Sequence, residues 1–289
     1  MTGDYLVFTG INILLAWSVY IVLLSGSLSF ANGGFMAMGA YASGVLTVKF
    51  GWPLGVAVTA AAAAVAATGV LISLPALRTR GVYLILVTIG VATCVRAVIE
   101  SIDYVGGVQG LGGLGGTELW HVGVLVLVVG AALHFVGRTP LQRILDAVRE
   151  DEQVAKALGV NTVYVKVVTF AAGAALAAVA GGLYGHYMIF ITPEHFGILS
   201  SIFIVLYVIL GGVNNLWGPA VGATLMTLVP EFIRALADWR PTVFGLFIIA
   251  LLLVRPEGVL SFRSATAKAC DVSRTPKTVS SALPTREIA

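Results

Sequence analysis

The sequence predicts an all-α protein of the polytopic membrane class, with eight or nine helices crossing the bilayer and one charged segment standing outside it. Three observations carry that prediction. Only 11% of the 289 residues are charged and 58% are hydrophobic, against roughly 25% and 45–50% in soluble domains. Apolar runs long enough to cross a hydrocarbon core of about 30 Å recur along the chain. One stretch, RTPLQRILDAVREDEQVAKALGVN at residues 138–161, gathers charge in the middle of this apolar sequence.

The runs fall near residues 6–24, 33–48, 53–73, 82–101, 118–136, 163–185, 198–213 and 218–236, with a shorter ninth at 241–254. Asp4 is the only charge ahead of the first run, with no basic segment before it, so the first run is expected to be a retained span. Residues 25–35, SGSLSFANGGF, are neither charged nor apolar and read as the broken start of a helix within the membrane. Residues 102–118 hold glycine at seven positions and no basic residue, which predicts a compact, mobile loop on the outer face. A phosphate loop is the alternative for that glycine run, but no GxxxxGK[ST] is present. Residues 261–289, rich in Ser, Thr and basic side chains, are expected to be a disordered tail after a permeation domain at 1–260.

Orientation follows from Lys and Arg, because loops rich in them stay in the cytoplasm. Counting spans places 13 of the 17 basic residues on one side: Arg78 and Arg80; Arg138, Arg143, Arg149, Lys156 and Lys166; and Arg255, Arg263, Lys268, Arg274, Lys277 and Arg286. That side, with the C-terminus, is assigned to the cytoplasm of a cell inner or plasma membrane. The net charge of +3 is small and no basic stripe interleaves with aromatics, so nucleic acid is excluded as a partner. Cys94 and Cys270 form no CxxC pair, and His121, His134, His186 and His195 show no metal-ligand spacing, so no metal site is expected. Nor do clustered His, Asp or Glu suggest a membrane-embedded enzyme.

Inserting residues 138–161 would bury eight charges, on the order of 20 kcal/mol on the translocon scale. The island must therefore lie outside the bilayer. Thr139, Pro140 and Gln142 have the pattern of an N-cap, a first-turn proline and a capping-box partner. Leu141, Ile144, Leu145 and Val148 then share one helical face, the pattern breaks at Arg149–Glu150–Asp151–Glu152, and Val154, Ala155 and Leu158 resume it before a C-capping Gly159. Two short helices with a charged elbow are predicted. An amphipathic helix lying on the membrane is one explanation. Against it, the four acids of the island equal its four bases, leaving no net attraction to anionic lipid, so a protein partner fits better.

LDAVREDEQVAKALGVNTVYVKVVTFAAGAALAAVAGGLYG resembles the cytoplasmic coupling loop and following helix of permease subunits of ATP-binding-cassette importers for branched-chain amino acids, the LivM type. LSFANGGFMAMGAYASGVL, LRTRGVYLILVTIGVATCVRAVIE, VGGVQGLGGL, ITPEHFG, VLYVILGGVNNLWGPAVGA and LLLVRPEGVL agree in order, so the resemblance spans nearly all of residues 1–260. Asn32 stands where the family's usual sequence carries a histidine. The resemblance implies an importer subunit without catalytic residues or a cofactor of its own. ATP and Mg would be held by cytoplasmic ATPase subunits, an extracytoplasmic binding protein would deliver the substrate, and a second permease subunit, either a LivH-like homologue or a second copy, would complete the pore. Branched-chain amino acids are the expected cargo, with urea or short amides as the alternative within the family. A self-sufficient channel or carrier is the rival outside it.

By resemblance, coupling to the ATPase falls on Ala147, Arg149, Glu150, Asp151, Glu152, Ala155, Leu158 and Gly159, the charges making polar contacts and Ala155 and Leu158 packing. Polar groups in spans are functional candidates by default. Arg96 and Glu100, four apart, suit either an internal pair or a contact to substrate or binding protein. Glu231 and Arg234 have the same two readings, with docking of the binding protein favoured. SFANGGFMAMGAY and GGVNNLWGPAVGA each set Asn beside Gly at a helix start, which puts Asn32, Gly34, Asn214 and Asn215 forward as pathway residues in a candidate internal repeat. Plain helix packing by small residues is the other explanation.

Overall fold

The computed structural model describes residues 2–79, 81–213, 215–232 and 245. Within them the apolar runs become α1 (Thr2–Leu24), α2 (Asn32–Val48), α3 (Leu54–Ala76), α4 (Val82–Ser101), α5 (Leu119–Arg138), α8 (Thr162–Met188), α9 (Ile198–Gly211) and α10 (Trp217–Phe232). The island becomes α6 (Pro140–Glu150) and α7 (Glu152–Ala157). Every expected span up to residue 232 thus has its helix. The ninth run at 241–254, Asn214, Arg234, the side chain of Glu231 and the tail lie outside the described residues.

Among the described residues five helices, α1, α3, α4, α5 and α8, are long and apolar enough to cross a membrane. At 1.5 Å per residue the 17-residue α2 reaches only about 25 Å. It begins inside the bundle, since Gly34 near its start packs on Ala92 at the middle of α4. Outward-facing Leu71, Leu74, Tyr83, Leu86, Leu127 and Phe135 are all more than half exposed. Apolar surface on that scale is stable only against lipid or another apolar chain. The protein is a polytopic helical membrane protein.

The 27-residue α8 is the hub and packs against α1, α2 and α3. Small residues make this approach close, as in membrane bundles generally. A Cβ on Gly39 would overlap the backbone of Ala178, one on Gly181 the backbone of Met36, and one on Gly173 would lie 2.7 Å from Ser18 O. His186 of α8 spans the same seam, with Nδ1 2.7 Å from Gly182 O and Nε2 2.9 Å from Thr47 Oγ1. Trp17, buried in α1, donates through Nε1 to Leu216 O (3.1 Å), and Asn12 Nδ2 donates to Thr227 Oγ1 (2.9 Å), fastening α10 to α1.

The glycine-rich loop is more than a surface connection. Leu111–Gly112 (β1) pairs antiparallel with Phe190–Ile191 (β2), a two-residue ladder that an all-α reading omits. Leu111 and Leu114 are buried against the bundle beside Gly44, so the loop is compact as expected but anchored. Gly106, Gly107, Gly110, Gly113 and Gly116 all have positive φ, the backbone freedom the run supplies. Lys49 Nζ donates to Tyr104 O and stands over the Tyr104 ring, closing the loop on the end of α2.

Candidate functional site

The island folds as two helices whose elbow is Asp151. Pro140 opens α6 at its first turn. The expected side-chain cap does not form, because Thr139 is also the C-cap of α5. Its hydroxyl donates to Val136 O of the preceding helix (2.7 Å), which also accepts from Thr139 N (3.0 Å), and Gln142 Nε2 donates to Asp146 Oδ1 (2.9 Å) instead of reaching back. Asp151 ends α6 and caps α7, its Oδ1 accepting from Gln153 N (2.8 Å) and Val154 N (3.1 Å). Gly159, at φ +86°, terminates α7: Gly159 N donates to Lys156 O and Val160 N to Ala155 O, the paired bonds of a Schellman motif.

The apolar positions of the island divide between two faces. Leu145, Val148 and Ala155 are buried against the chain's own bundle, whereas Leu141, Val154 and Leu158 face outward, Leu158 at 75% exposure. Ala155 therefore cannot pack on a partner as the sequence suggested, and only Leu158 of that pair is available. Ala147 is half-buried, and Glu150, Asp151 and Gly159 are exposed.

Glu152 also departs from its expected role. Its carboxylate accepts from Lys156 Nζ (2.8 Å), Lys166 Nζ (2.7 Å) and Thr162 Oγ1 (3.2 Å), so it ties α7 to the first turns of α8. Hydrogen bonds from Lys156 and Lys166 lower its pKa to about 2, against the opposing effect of partial burial. The other fastening is at Gly26 in the α1–α2 connector. Gly26 has φ +74°, and a Cβ on it would lie 3.3 Å from Arg149 Cα and 3.6 Å from Arg149 O. The connector thus rests on the backbone of α6 close to the elbow.

From Gly26 the connector runs into the bundle toward α2. Its irregular backbone is held by side chains: Phe30 N donates to Thr88 Oγ1 of α4 (3.1 Å) and Ala31 N to Ser29 Oγ (3.2 Å). Asn32 is buried and donates through Nδ2 to Ser18 Oγ of α1 (2.8 Å). The structure thus gathers Asn32 and Gly34 at the mid-bundle start of α2. Asn215 is elsewhere: it is exposed, its Oδ1 accepts from Trp217 N (3.4 Å), and it lines a cavity of about 280 Å3 with Tyr20, Leu24, His134 and Gln142 of the island end. Arg96 and Glu100 pair at 2.7 Å near the far end of α4, each about one-third exposed, and Arg96 Nη1 approaches Gly197 at the start of α9.

Two residues that sequence reasoning missed now matter. Gly26 was legible only as part of a polar SGS turn. Ser201 sits in an apolar LSSIF run, yet is 2% exposed and lies against Gly33.

Residues 1–255 match the family described as branched-chain amino acid transport system / permease component. The chain is 28% identical to the high-affinity branched-chain amino acid transport system permease protein LivM of Escherichia coli K12, over 90% of this chain and 70% of that protein. It is 31% identical to the permease protein LivH of the same organism, over 49% of this chain and 46% of that one. It is 33% identical to the permease protein BraD of Pseudomonas aeruginosa, over 53% and 52% respectively. No solved structure matches it.

Proposed function

Because the chain belongs to the branched-chain amino acid transport permease family, we propose that it is the membrane-spanning subunit of an importer for branched-chain or related amino acids, driven through its polar island. The family fits a permease subunit of an ATP-binding-cassette importer, and the LivM and LivH relatives fit a pore of two permease subunits. ATP hydrolysis belongs to cytoplasmic partners, and an extracytoplasmic protein delivers the amino acid. The island end of the bundle, with Arg78 and the basic residues of the island, faces the cytoplasm.

The observation that carries the coupling role is that the island is fastened to two transmembrane elements while keeping a free outer face. Leu145, Val148 and Ala155 seat it on the bundle. The Gly26 contact joins α6 to the connector of α2, and Glu152 joins α7 to α8. Exposed Leu141, Val154, Leu158, Glu150 and Asp151 form the surface an ATPase subunit would grip. A push on that surface is passed to the connector of α2 through the Gly26 contact and to α8 through Glu152. A channel or carrier needing no ATPase gives no reason for such a surface.

Reversing both Glu150 and Asp151 to Lys tests this reading. Membrane insertion should persist, while co-purification of the ATPase subunits and ATP-dependent uptake in proteoliposomes are lost. Normal uptake with normal co-purification would refute it.

A further inference from the structure

The start of α2 holds more polar groups than its surroundings satisfy. A helix leaves its first amides without intrahelical acceptors, and the first backbone bond of α2 runs from Phe35 N to Ala31 O at 3.0 Å. The amides of Asn32, Gly33 and Gly34 find no acceptor among the described residues, although all three residues are buried. Asn32, 1% exposed, uses its Nδ2 on Ser18, but its Oδ1 has no partner. Ser201, in the first turns of α9 and 2% exposed, has an unpartnered hydroxyl. That hydroxyl occupies the space beside Gly33 where any side chain would collide with it.

Buried polar groups are normally paired, and leaving one unpaired is costly. Here donors and an acceptor stay unpaired around one helix start, at the depth where Gly34 meets the middle of α4. The positive end of the α2 dipole adds to the donors and favours an anion. The geometry points to a binding site for the head group of a zwitterionic α-amino acid. The amides of residues 32–34 and the Ser201 hydroxyl donate to its carboxylate, and Asn32 Oδ1 accepts from its ammonium.

This inference rests on the importer reading and deepens it. Recognition through the head group leaves the substrate's side chain to the delivering protein. Because the groups are buried, the substrate reaches them in a conformation where α2 and α9 stand apart at the Gly33–Ser201 contact. The connector from Gly26 to Asn32 gives the island control of that opening.

The test uses the complete assembly with its ATPase subunits and binding protein in proteoliposomes, with radiolabelled leucine, isoleucine and valine. Ser201→Ala removes a buried unpaired hydroxyl, so a merely structural role predicts an unchanged or higher melting temperature and unchanged uptake. The head-group site predicts uptake lowered about tenfold, equally for all three amino acids, with melting temperature and ATPase co-purification unchanged. Ser200→Ala serves as the control, because the half-buried Ser200 already has a partner, its Oγ donating to His195 O (2.6 Å); its uptake should stay normal. Unchanged uptake in Ser201→Ala, or a loss that differs among the three amino acids or accompanies a lower melting temperature, overturns the inference. If the unaltered assembly takes up none of the three, the branched-chain amino acid reading on which the inference rests fails and the inference falls with it.

Discussion

The island and the start of α2 are both polar regions set in an apolar bundle, and they treat their polar groups in opposite ways. In the island, Glu152 satisfies its carboxylate with Lys156, Lys166 and Thr162, Asp151 caps its own helix, and Gly159 closes it. At α2, Asn32 Oδ1 and Ser201 Oγ are buried without partners. A region whose polar groups are satisfied internally can transmit force without rearranging. A region whose polar groups are left open is prepared for something that arrives and departs. One short connector joins them, from Gly26 on the Arg149 backbone to Asn32 at the Ser18 hydroxyl.

The contrast breaks most severely if the lever is disconnected from its partner. The Glu150→Lys, Asp151→Lys double variant is expected to abolish uptake, and Asp151→Lys also removes a helix cap worth about 1 kcal/mol. Next in size, Leu158→Asp should cut ATPase co-purification strongly while leaving the melting temperature of the isolated permease unchanged, because Leu158 touches little of its own chain. A matched drop in melting temperature would show that Leu158 belongs to the permease core.

Glu152→Gln sharpens the contrast from inside the island. Lys166, only 18% exposed, loses its anionic partner, and a partly exposed pair of this kind is worth about 1 kcal/mol or less. A fall in melting temperature of a few degrees and a partial loss of uptake are expected. The smallest effect is the pH dependence. The folded pKa of Glu152 lies near 2, below the ordinary 4.5, so its stabilising contribution is complete above about pH 4.5 and fades as pH falls from there toward 2. Melting temperatures compared between wild type and Glu152→Gln should converge across that window. A gap that stays constant down to pH 2 would mean that the Lys156 and Lys166 bonds do not depend on the carboxylate's charge.

Much of this architecture was legible in the sequence, because membrane spans and an uninsertable charged segment are written in composition. A charged elbow within Arg149–Glu152 and the stop at Gly159 followed from helical periodicity and capping chemistry, while the assignment of the break and the cap to Asp151 needed the fold. Periodicity could not say which apolar face meets the chain's own bundle. Ala155 and Leu158 lie on the same amphipathic pattern, yet one is buried and the other projects. The Leu111–Ile191 pairing was invisible because it joins a glycine-rich loop to residues far along the chain, where no local β-propensity announces it. Gly26 and Ser201 were missed because their importance lies in what stands beside them in space. Asn32 was singled out by its place beside glycines, but its partnership with Ser18 of α1 needed the fold.

The central claim, that movement passes from the island through Gly26 into α2, is tested most directly by the number of amino acids imported per ATP hydrolysed in a Gly26→Val assembly. Valine at φ +74° is strained and its side chain meets the Arg149 backbone, so the seat of the connector on α6 is disturbed. The ratio is predicted to fall about tenfold or more, as for a coupling energy of about 1.4 kcal/mol or greater, while ATP hydrolysis and subunit co-purification stay near wild type. An unchanged ratio in a fully assembled Gly26→Val complex would contradict the account.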